Sequence, residues 1–184
     1  GKTIENSLAR QLQAVARLVA ARSTLGVGRQ VFFVQLGGFD THDSQNRRHA
    51  DLMARLDHAL GYFDTALGDL GVRNNVTAFT ASDFGRTFTS NGDGTDHGWG
   101  SHQFVLGGAV RGGRVFGTFP TYSVKNANNN QFDGSADQLA NGSLLPTTSL
   151  DQYGYTLAQW FGASNAGSVF ANVGNFGSGN LGFV

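Results

Sequence analysis

Residues 30–36 (QVFFVQL), 45–70 and 76–81 (VTAFTA) are the stretches that decide the predicted fold. The first and third are short runs of β-branched and aromatic residues, which predicts buried strands. The stretch between them has Leu, Ala and Phe at helical spacing, which predicts a long amphipathic helix. A strand, a helix and a strand in this order form a βαβ-like unit, for which parallel pairing is the usual arrangement. We therefore expect an α/β protein with a parallel or mixed sheet and flanking helices.

Two further helices are predicted, one before and one after this unit. Residues 3–22 carry apolar side chains at helical spacing, and Gly26 and Gly28 follow as the stop. Residues 149–161 carry another apolar stripe, which Gly162 ends. The apolar side of that helix is expected to consist of Leu150, Tyr153, Leu157, Trp160 and Phe161.

The remaining residues predict little regular structure apart from one hairpin. Residues 103–110 and 114–117 are short apolar pieces joined by glycines, which is typical of a hairpin. Residues 121–148 include the run NANNNQ and are expected to form a long surface loop, and residues 172–184 an irregular tail. We expect the whole chain, 1–184, to form a single α/β domain.

Composition narrows the class of function. The formal net charge is zero, which argues against a nucleic-acid or membrane-surface partner, and no apolar run approaches the roughly 20 residues of a membrane span. The chain has no cysteine, which excludes disulfides, thiolate metal sites and cysteine nucleophiles. Only 14% of residues are charged, a low fraction that is commoner in exported proteins. A periplasmic or extracellular protein is therefore expected.

The segment GGFDTH, residues 37–42, is the first candidate site. Asp40 and His42 directly follow a predicted strand and a Gly-Gly pair, where both side chains can point into one cleft. A carboxylate and an imidazole suit borderline divalent ions such as zinc or manganese. Asp40 could equally cap the following helix or turn, so the spacing alone leaves both interpretations open.

Two later segments add further candidates. ASDFGRT, residues 81–87, places Asp83 after a predicted strand, and Arg86 offers a planar fork for phosphate, sulfate or carboxylate. A structural Asp83–Arg86 ion pair is the alternative. DHGWGSH, residues 96–102, brings His97 and His102 into a glycine-rich loop, where two histidines are poorly explained by packing alone.

Other polar residues are interpreted as structural. His49 and His58 fall within the predicted long helix, and both are expected to be structural or solvated residues. Trp99 is expected to line or support the pocket. No nucleophile elbow, phosphate-binding loop or dinucleotide fingerprint is present.

The order of these motifs resembles that of a known family. GGFDTH and SDFGRT are followed by SNGDGTDHGWGSH, GGAVRGGRVFGTFP and LLPTTSLDQYGYTLAQWFG. From residue 9 to residue 120 the chain is similar to the carboxy-terminal half of the bacterial domain-of-unknown-function family 1501. That family in turn resembles the alkaline phosphatase and sulfatase superfamily, whose members hydrolyse phosphate or sulfate esters at divalent metals.

This resemblance implies a fold, a cofactor and a ligand set. The fold would be alkaline phosphatase-like, and the cofactor a divalent metal such as zinc, manganese or calcium. ASDFG resembles the superfamily's TSDHG signature, so Asp83 falls on a metal-binding aspartate. The implied metal ligands are Asp40, His42, Asp83, His97 and His102. Family members are usually exported, often through a twin-arginine signal.

Two departures from the family pattern bear on activity. Phe84 stands where the superfamily signature has a histidine ligand, so a complete two-metal centre is not implied. The family's GGNDGLN-like segment, in the half that supplies the nucleophile, has no counterpart here. The chain is therefore expected to be a partial domain that needs a missing amino-terminal segment or a partner chain.

Three hypotheses follow from the sequence. The first is a metal-dependent hydrolase of a small anionic phosphate or sulfate ester, in which Arg86 stabilises charge on the non-bridging oxygens. The second is an exported structural or binding protein that retains the scaffold without turnover. The third and weakest is a carbohydrate-binding face formed by Trp99, Tyr122 and Tyr153.

Overall fold

A computed structural model describes residues 5–184 of the chain and shows a mixture of helices and small sheets. Contacts divide these residues into two compact units. The first holds the described residues up to Ala78, together with Asn91–Thr95 and Leu106–Ala109. The second holds Phe79–Ser90, Asp96–Val105 and Val110–Val184.

Helices dominate the first unit. Helix α1 is Ser7–Ala20, the one-turn helix α2 is Arg22–Leu25, and α3 is Gln45–Asp69. Both predicted helices are confirmed, except that positions 3 and 4 lie outside the described residues. Gly26 ends α2 at a φ of 65°, a left-handed conformation that suits glycine. A 3₁₀ turn, Arg73–Asn75, follows α3.

The core of the first unit lies between α1 and α3. The apolar periodicity of both helices creates one buried stripe on each, and the two stripes pack together. Burying such side chains contributes roughly 1.5–3 kcal/mol each. The buried cluster consists of Leu8, Leu12, Val15, Ala16 and Val19 of α1, Ala59, Phe63 and Leu67 of α3, and Val72.

The predicted buried strand at residues 30–36 was wrong. This segment has no strand pairing in the structure. Its burial alternates instead, because Phe32, Val34 and Leu36 pack against the helical core while Val31 and Phe33 are 78% and 90% exposed. The period of two was a true signal of extended chain, but one face is packed and the other is open.

The two sheets of the structure are small and antiparallel, so the predicted parallel pairing was also wrong. Strand β1, Thr77–Phe79, pairs with β4, Val105–Gly107. Strand β2, Gly85–Ser90, pairs with β3, Thr95–Gly98. The α/β class stands, whereas the βαβ connection does not, because the strand expected before α3 is unpaired in the described chain.

The hairpin predicted from residues 103–110 and 114–117 is not formed either. Its first piece contains β4, which pairs with β1 rather than with the second piece. A side chain at Gly107 would lie 2.5 Å from the Val76 carbonyl oxygen, so only glycine permits the approach at this end of the sheet. The glycines therefore mark a close strand contact rather than the expected turn.

The second unit contains the predicted last helix, α4, Leu150–Phe161. Ser149 and Gln152 form a capping box at its start, and Gly162 ends it at a φ of 84°. The predicted apolar side is wrong at Leu150, which is 73% exposed. Buried positions of α4 are Gln152, Thr156 and Leu157.

Polar bonds explain this rotated face. Gln152 donates to the Ser178 carbonyl oxygen at 2.6 Å, and the Thr156 hydroxyl accepts the Leu181 amide at 2.9 Å. Residues near the end of the chain thus cover α4 through hydrogen bonds, which apolar periodicity cannot reveal. Phe183 is 2% exposed.

Short elements complete the second unit. Helix α5 is Ala166–Val169, and a 3₁₀ turn spans Val173–Asn175. Residues 121–148 hold turns and one isolated antiparallel bridge, Gln138 with Leu144. No helix within residues 5–184 has the length and hydropathy needed to cross a membrane.

Candidate functional site

The Asp40–His42 turn, residues Asp40, Thr41 and His42, presents two possible ligands side by side in the first unit. His42 Nδ1 lies 2.9 Å from Asp40 Oδ1, and both side chains are about half exposed. Thr41 between them is fully buried. Because neighbouring side chains of an extended segment point in opposite directions, burying Thr41 turns Asp40 and His42 outward together.

Residues Asn91–Thr95, which belong to the same unit, support the turn from behind. The Thr95 amide donates to the Thr41 carbonyl oxygen at 3.4 Å. A side chain at Gly94 would overlap the His42 backbone and lie 2.5 Å from the Thr41 carbonyl oxygen. Only glycine therefore permits this close approach of two backbones.

The same support reaches the start of α3. The Gln45 amide donates to the Asp93 carbonyl oxygen at 2.9 Å, and the Thr95 hydroxyl donates to Gln45 Oε1 at 2.8 Å. Ser44 occupies the N-cap position at a φ of 48° without a side-chain cap. The backbone of Asp93 thus satisfies an amide at the helix start that a capping side chain would otherwise bind.

The alternative role of Asp40 as a helix cap is not what the structure shows. The residue at the N-cap of α3 is Ser44, and Asp40 contacts His42. The nearby carboxylate of Asp43 instead accepts a hydrogen bond from Arg48 at 2.6 Å. Of the two carboxylates before the helix, Asp43 therefore forms the helix-start ion pair and Asp40 stays with the imidazole.

The contact between Asp40 and His42 is compatible with metal binding in two ways. Oxygen and nitrogen ligands lie about 2.0–2.2 Å from zinc, so two ligands of one ion stand roughly 3 Å apart, as these atoms do. Alternatively, a proton on Nδ1 would bond to Asp40 and leave Nε2 as the ligand, with the carboxylate orienting the ring. The donor set fits a borderline or hard divalent ion in either case.

The Phe84 stack, residues Phe84, Arg86 and His97, is the corresponding feature of the second unit. The rings of Phe84 and His97 stack with centroids 3.9 Å apart and planes within 5°. The guanidinium carbon of Arg86 lies 5.8 Å from the centre of the Phe84 ring. An aromatic side chain in the position of the expected histidine ligand thus holds an imidazole and touches a guanidinium.

Strand positions, rather than loop positions, hold two of these residues. Arg86 lies on β2, and Asp96 and His97 lie on β3, so the predicted glycine-rich loop was wrong over this part. Gly98 explains the error, because its Cβ would lie 2.7 Å from the Arg86 carbonyl carbon. The glycine here permits close strand pairing instead of loop flexibility.

The other candidates occupy different surroundings. Asp83 lies in the bend between β1 and β2 with an exposed side chain. His102 stacks on Phe119 with centroids 5.0 Å apart, and Trp99 is 67% exposed. Tyr153, the third aromatic of the carbohydrate hypothesis, directs its hydroxyl to the Thr80 carbonyl oxygen at 3.1 Å.

The two histidines of α3 are exposed residues with local contacts, in line with their expected structural role. His49 meets the edge of Phe39 with ring centroids 6.1 Å apart. His58 Nδ1 lies 3.3 Å from Asn6 Nδ2. Neither residue belongs to the Asp40–His42 turn or to the Phe84 stack.

Sequence reasoning missed the residues that support the site. Thr41 and Gly94 have no ligand atoms of interest, so a search for chemistry passes over them. The signal for Thr41 was its place between two outward-pointing residues of an extended segment. Gly94 has no comparable signal, since its partner residues lie about fifty positions earlier in the chain.

Comparison with known proteins places the chain in a family but not in a functional class. No curated protein and no solved structure matches it. One family model, described as a protein of unknown function (DUF1501), matches residues 2–171. Since this match covers most of the chain, the protein belongs to the DUF1501 family.

Proposed function

We propose that this chain is an exported, metal-dependent hydrolase domain that acts on phosphate or sulfate esters. The observation that carries the proposal is the Asp40–His42 contact of 2.9 Å on a turn whose central residue is fully buried. A pair of ligands held this way binds an ion without first having to be ordered. The alkaline phosphatase-like fold remains part of the proposal, and so does the partial domain.

Each candidate residue has a role in the proposal. Asp40 and His42 would hold zinc, manganese or calcium, and a divalent ion supplies charge to polarise an ester oxygen or activate water. Arg86 would bind the anionic ester and neutralise charge on its non-bridging oxygens. The further ligands inferred from the family resemblance are Asp83, His97 and His102. The nucleophile would come from an amino-terminal segment or a partner chain.

Metal titration of the purified chain tests the proposal. Adding zinc, manganese or calcium at 100 times Kd should raise the free energy of unfolding by about 2.7 kcal/mol. For a chain of this size, that corresponds to a rise in Tm of roughly 5–10 °C. Asp40→Asn and His42→Ala should each reduce the rise severalfold, because each removes one ligand or its orienting partner.

Asp43→Asn is the matched control. It removes a neighbouring exposed carboxylate that pairs with Arg48 and should leave the metal-induced rise unchanged. Elemental analysis of the same samples should find metal in the wild type and in the control. If all three ions leave the wild-type Tm unchanged, or if Asp43→Asn lowers the rise as much as Asp40→Asn, the Asp40–His42 turn is not the metal site.

A non-catalytic exported scaffold or binding protein is the second candidate function. It is favoured by Phe84, whose ring stacks on His97 where the resemblance expects a histidine ligand. A metal at the Asp40–His42 turn would then be structural. Hydrolysis of aryl phosphates or aryl sulfates by the metal-loaded chain, lost in Asp83→Ala, decides for the hydrolase. Metal-dependent stabilisation without any turnover decides for the scaffold.

A further inference from the structure

Residues 30–36 of the first unit form an extended segment with two unlike faces. Phe32, Val34 and Leu36 pack against the helical core, while Val31 and Phe33 are 78% and 90% exposed. The segment contains no charged residue, proline or glycine. An uncharged, β-branched and aromatic segment of this kind pairs readily with another strand when it is left open.

One edge of this segment is already occupied. Gln11 of α1 donates its side-chain amide to the Gln35 carbonyl oxygen and accepts the Gln35 amide, both at 2.9 Å. Gln11 thereby takes the place that a neighbouring strand would have at Gln35. Since the N–H and C=O of one residue point to the same side of an extended chain, the odd-numbered residues face this edge.

The opposite edge is open in the part of the chain that the structure describes. Even-numbered residues face it, and the backbone groups of Phe32, Val34 and Leu36 have no hydrogen-bond partner among residues 5–184. These three residues present three N–H donors and three C=O acceptors in strand spacing. Only another extended backbone matches that pattern over its whole length.

We propose that this edge pairs with the same edge of a second copy of the chain, forming an antiparallel two-fold contact centred on Val34. Val34 would pair with Val34 of the partner subunit, and Phe32 with Leu36 of the partner subunit. These pairs complete six backbone hydrogen bonds. On the exposed face, Phe33 would lie opposite Gln35 of the partner subunit.

Three features favour a second copy over an unrelated strand. The segment is uncharged, so two copies do not repel each other. A two-fold axis through Val34 places apolar residues opposite apolar residues on the core face, as Phe32 meets Leu36. Gln11 closes the other edge, so pairing stops at two chains and does not propagate into a fibre.

Paired charges on the exposed face test this register. Phe33 and Gln35 are both exposed in the chain, so their replacement leaves the core intact. The double variant Phe33→Lys with Gln35→Lys puts like charges opposite each other and should weaken dimerisation at least about tenfold. The matched variant Phe33→Lys with Gln35→Glu puts opposite charges there and should remain dimeric. Sedimentation equilibrium over a range of chain concentrations measures both constants.

A backbone test separates the edge from the side chains. Val34→Pro removes an amide donor from the open edge, whereas Val31→Pro removes one from the edge that faces Gln11. Dimerisation should be lost in Val34→Pro and kept in Val31→Pro, with circular dichroism confirming the helices of both. A wild type that stays monomeric at every concentration overturns the proposal. So do charge variants that associate equally, or assemblies larger than dimers. Oligomeric state is measured without metal, so this outcome is independent of the proposed hydrolase function.

Discussion

The Asp40–His42 turn and the Phe84 stack hold their polar side chains by different physical means. In the turn, the two ligands flank a residue with no exposed surface, and the backbone behind them touches Gly94 without room for a Cβ atom. In the stack, an exposed imidazole is held by the face of one aromatic ring. Backbone packing fixes the first, and ring contact at the surface fixes the second.

The difference teaches where precision is built into this protein. Buried backbone contacts leave little freedom, since tightly packed atoms cannot shift without disturbing their neighbours. A stacked pair at the surface is worth only about 0.5–1.5 kcal/mol beyond its buried area. We therefore expect substitutions behind the turn to change stability most and substitutions in the stack to change it least.

Gly94→Ala should have the largest effect. Its Cβ would overlap the His42 backbone, so either Asn91–Thr95 or the Asp40–His42 turn must move. We expect a loss of about 3 kcal/mol in the free energy of unfolding, typical of overpacking at a buried position. Urea unfolding followed by circular dichroism measures the loss.

Gly37→Ala is the matched control for Gly94→Ala. It adds the same methyl group three residues before Asp40, where no atom lies within 4 Å, and should change stability by less than about 1 kcal/mol. Equal losses in the two variants would show that the contact behind the turn does not constrain it.

Tyr153 gives an intermediate, pH-dependent effect on the support of the second region. Its hydroxyl donates to the Thr80 carbonyl oxygen at 3.1 Å, three residues before Asp83. Burial raises the pKa of Tyr153 well above its usual range, because the phenolate is poorly solvated there. The raised pKa means that the stabilisation is complete below the pKa of the unfolded chain, about 10, and is lost as the pH rises above it.

Tyr153→Phe isolates that contribution. At pH 8 it should reduce the free energy of unfolding by about 1 kcal/mol, the usual net value of one hydrogen bond. The difference from the wild type should shrink between pH 10 and about pH 11, because only the wild type loses this stabilisation. Tyr122→Phe, at a side chain that is 60% exposed, should change stability little at either pH. A gap that stays constant with pH would contradict the role of Tyr153 burial.

The helices could be predicted from the sequence because they depend on local periodicity and end residues. α1, α3 and α4 lie where their apolar repeats and glycine stops place them. Strand pairing could not be predicted in the same way. The period of two at residues 30–36 predicts extended chain correctly, but it carries no information on which strand, if any, lies alongside. The pairing of β1 with β4 joins residues nearly thirty positions apart.

The candidate site was predictable in its chemistry but not in its support. Asp40 and His42 were identified from residue type and a spacing of two, and the structure brings them into contact. The close approach of Gly94 depends on a contact between distant segments and has no local signature. Phe84 was noticed as a missing ligand, while its stacking on His97 required coordinates.

Phe84→Leu should have the smallest effect on stability and the clearest local one. Leucine keeps an apolar side chain but removes the ring, so we expect a loss of about 0.5 kcal/mol, the low end for an aromatic pair. The ring current of Phe84 shifts the NMR signals of the His97 ring upfield while the rings are stacked. In Phe84→Leu these signals should move downfield, whereas Phe119→Leu should move the signals of His102 and leave those of His97 in place.

This pair of variants also sharpens the contrast with the turn. If the stack only positions His97, Phe84→Leu should free the ring while the Asp40–His42 turn keeps its metal-induced rise in Tm. A loss of more than about 2 kcal/mol would instead make the stack a structural centre of the second unit, comparable to Gly94 in the first. The family resemblance would then need another explanation for the aromatic residue, because a ring that the fold requires cannot be counted simply as a lost ligand.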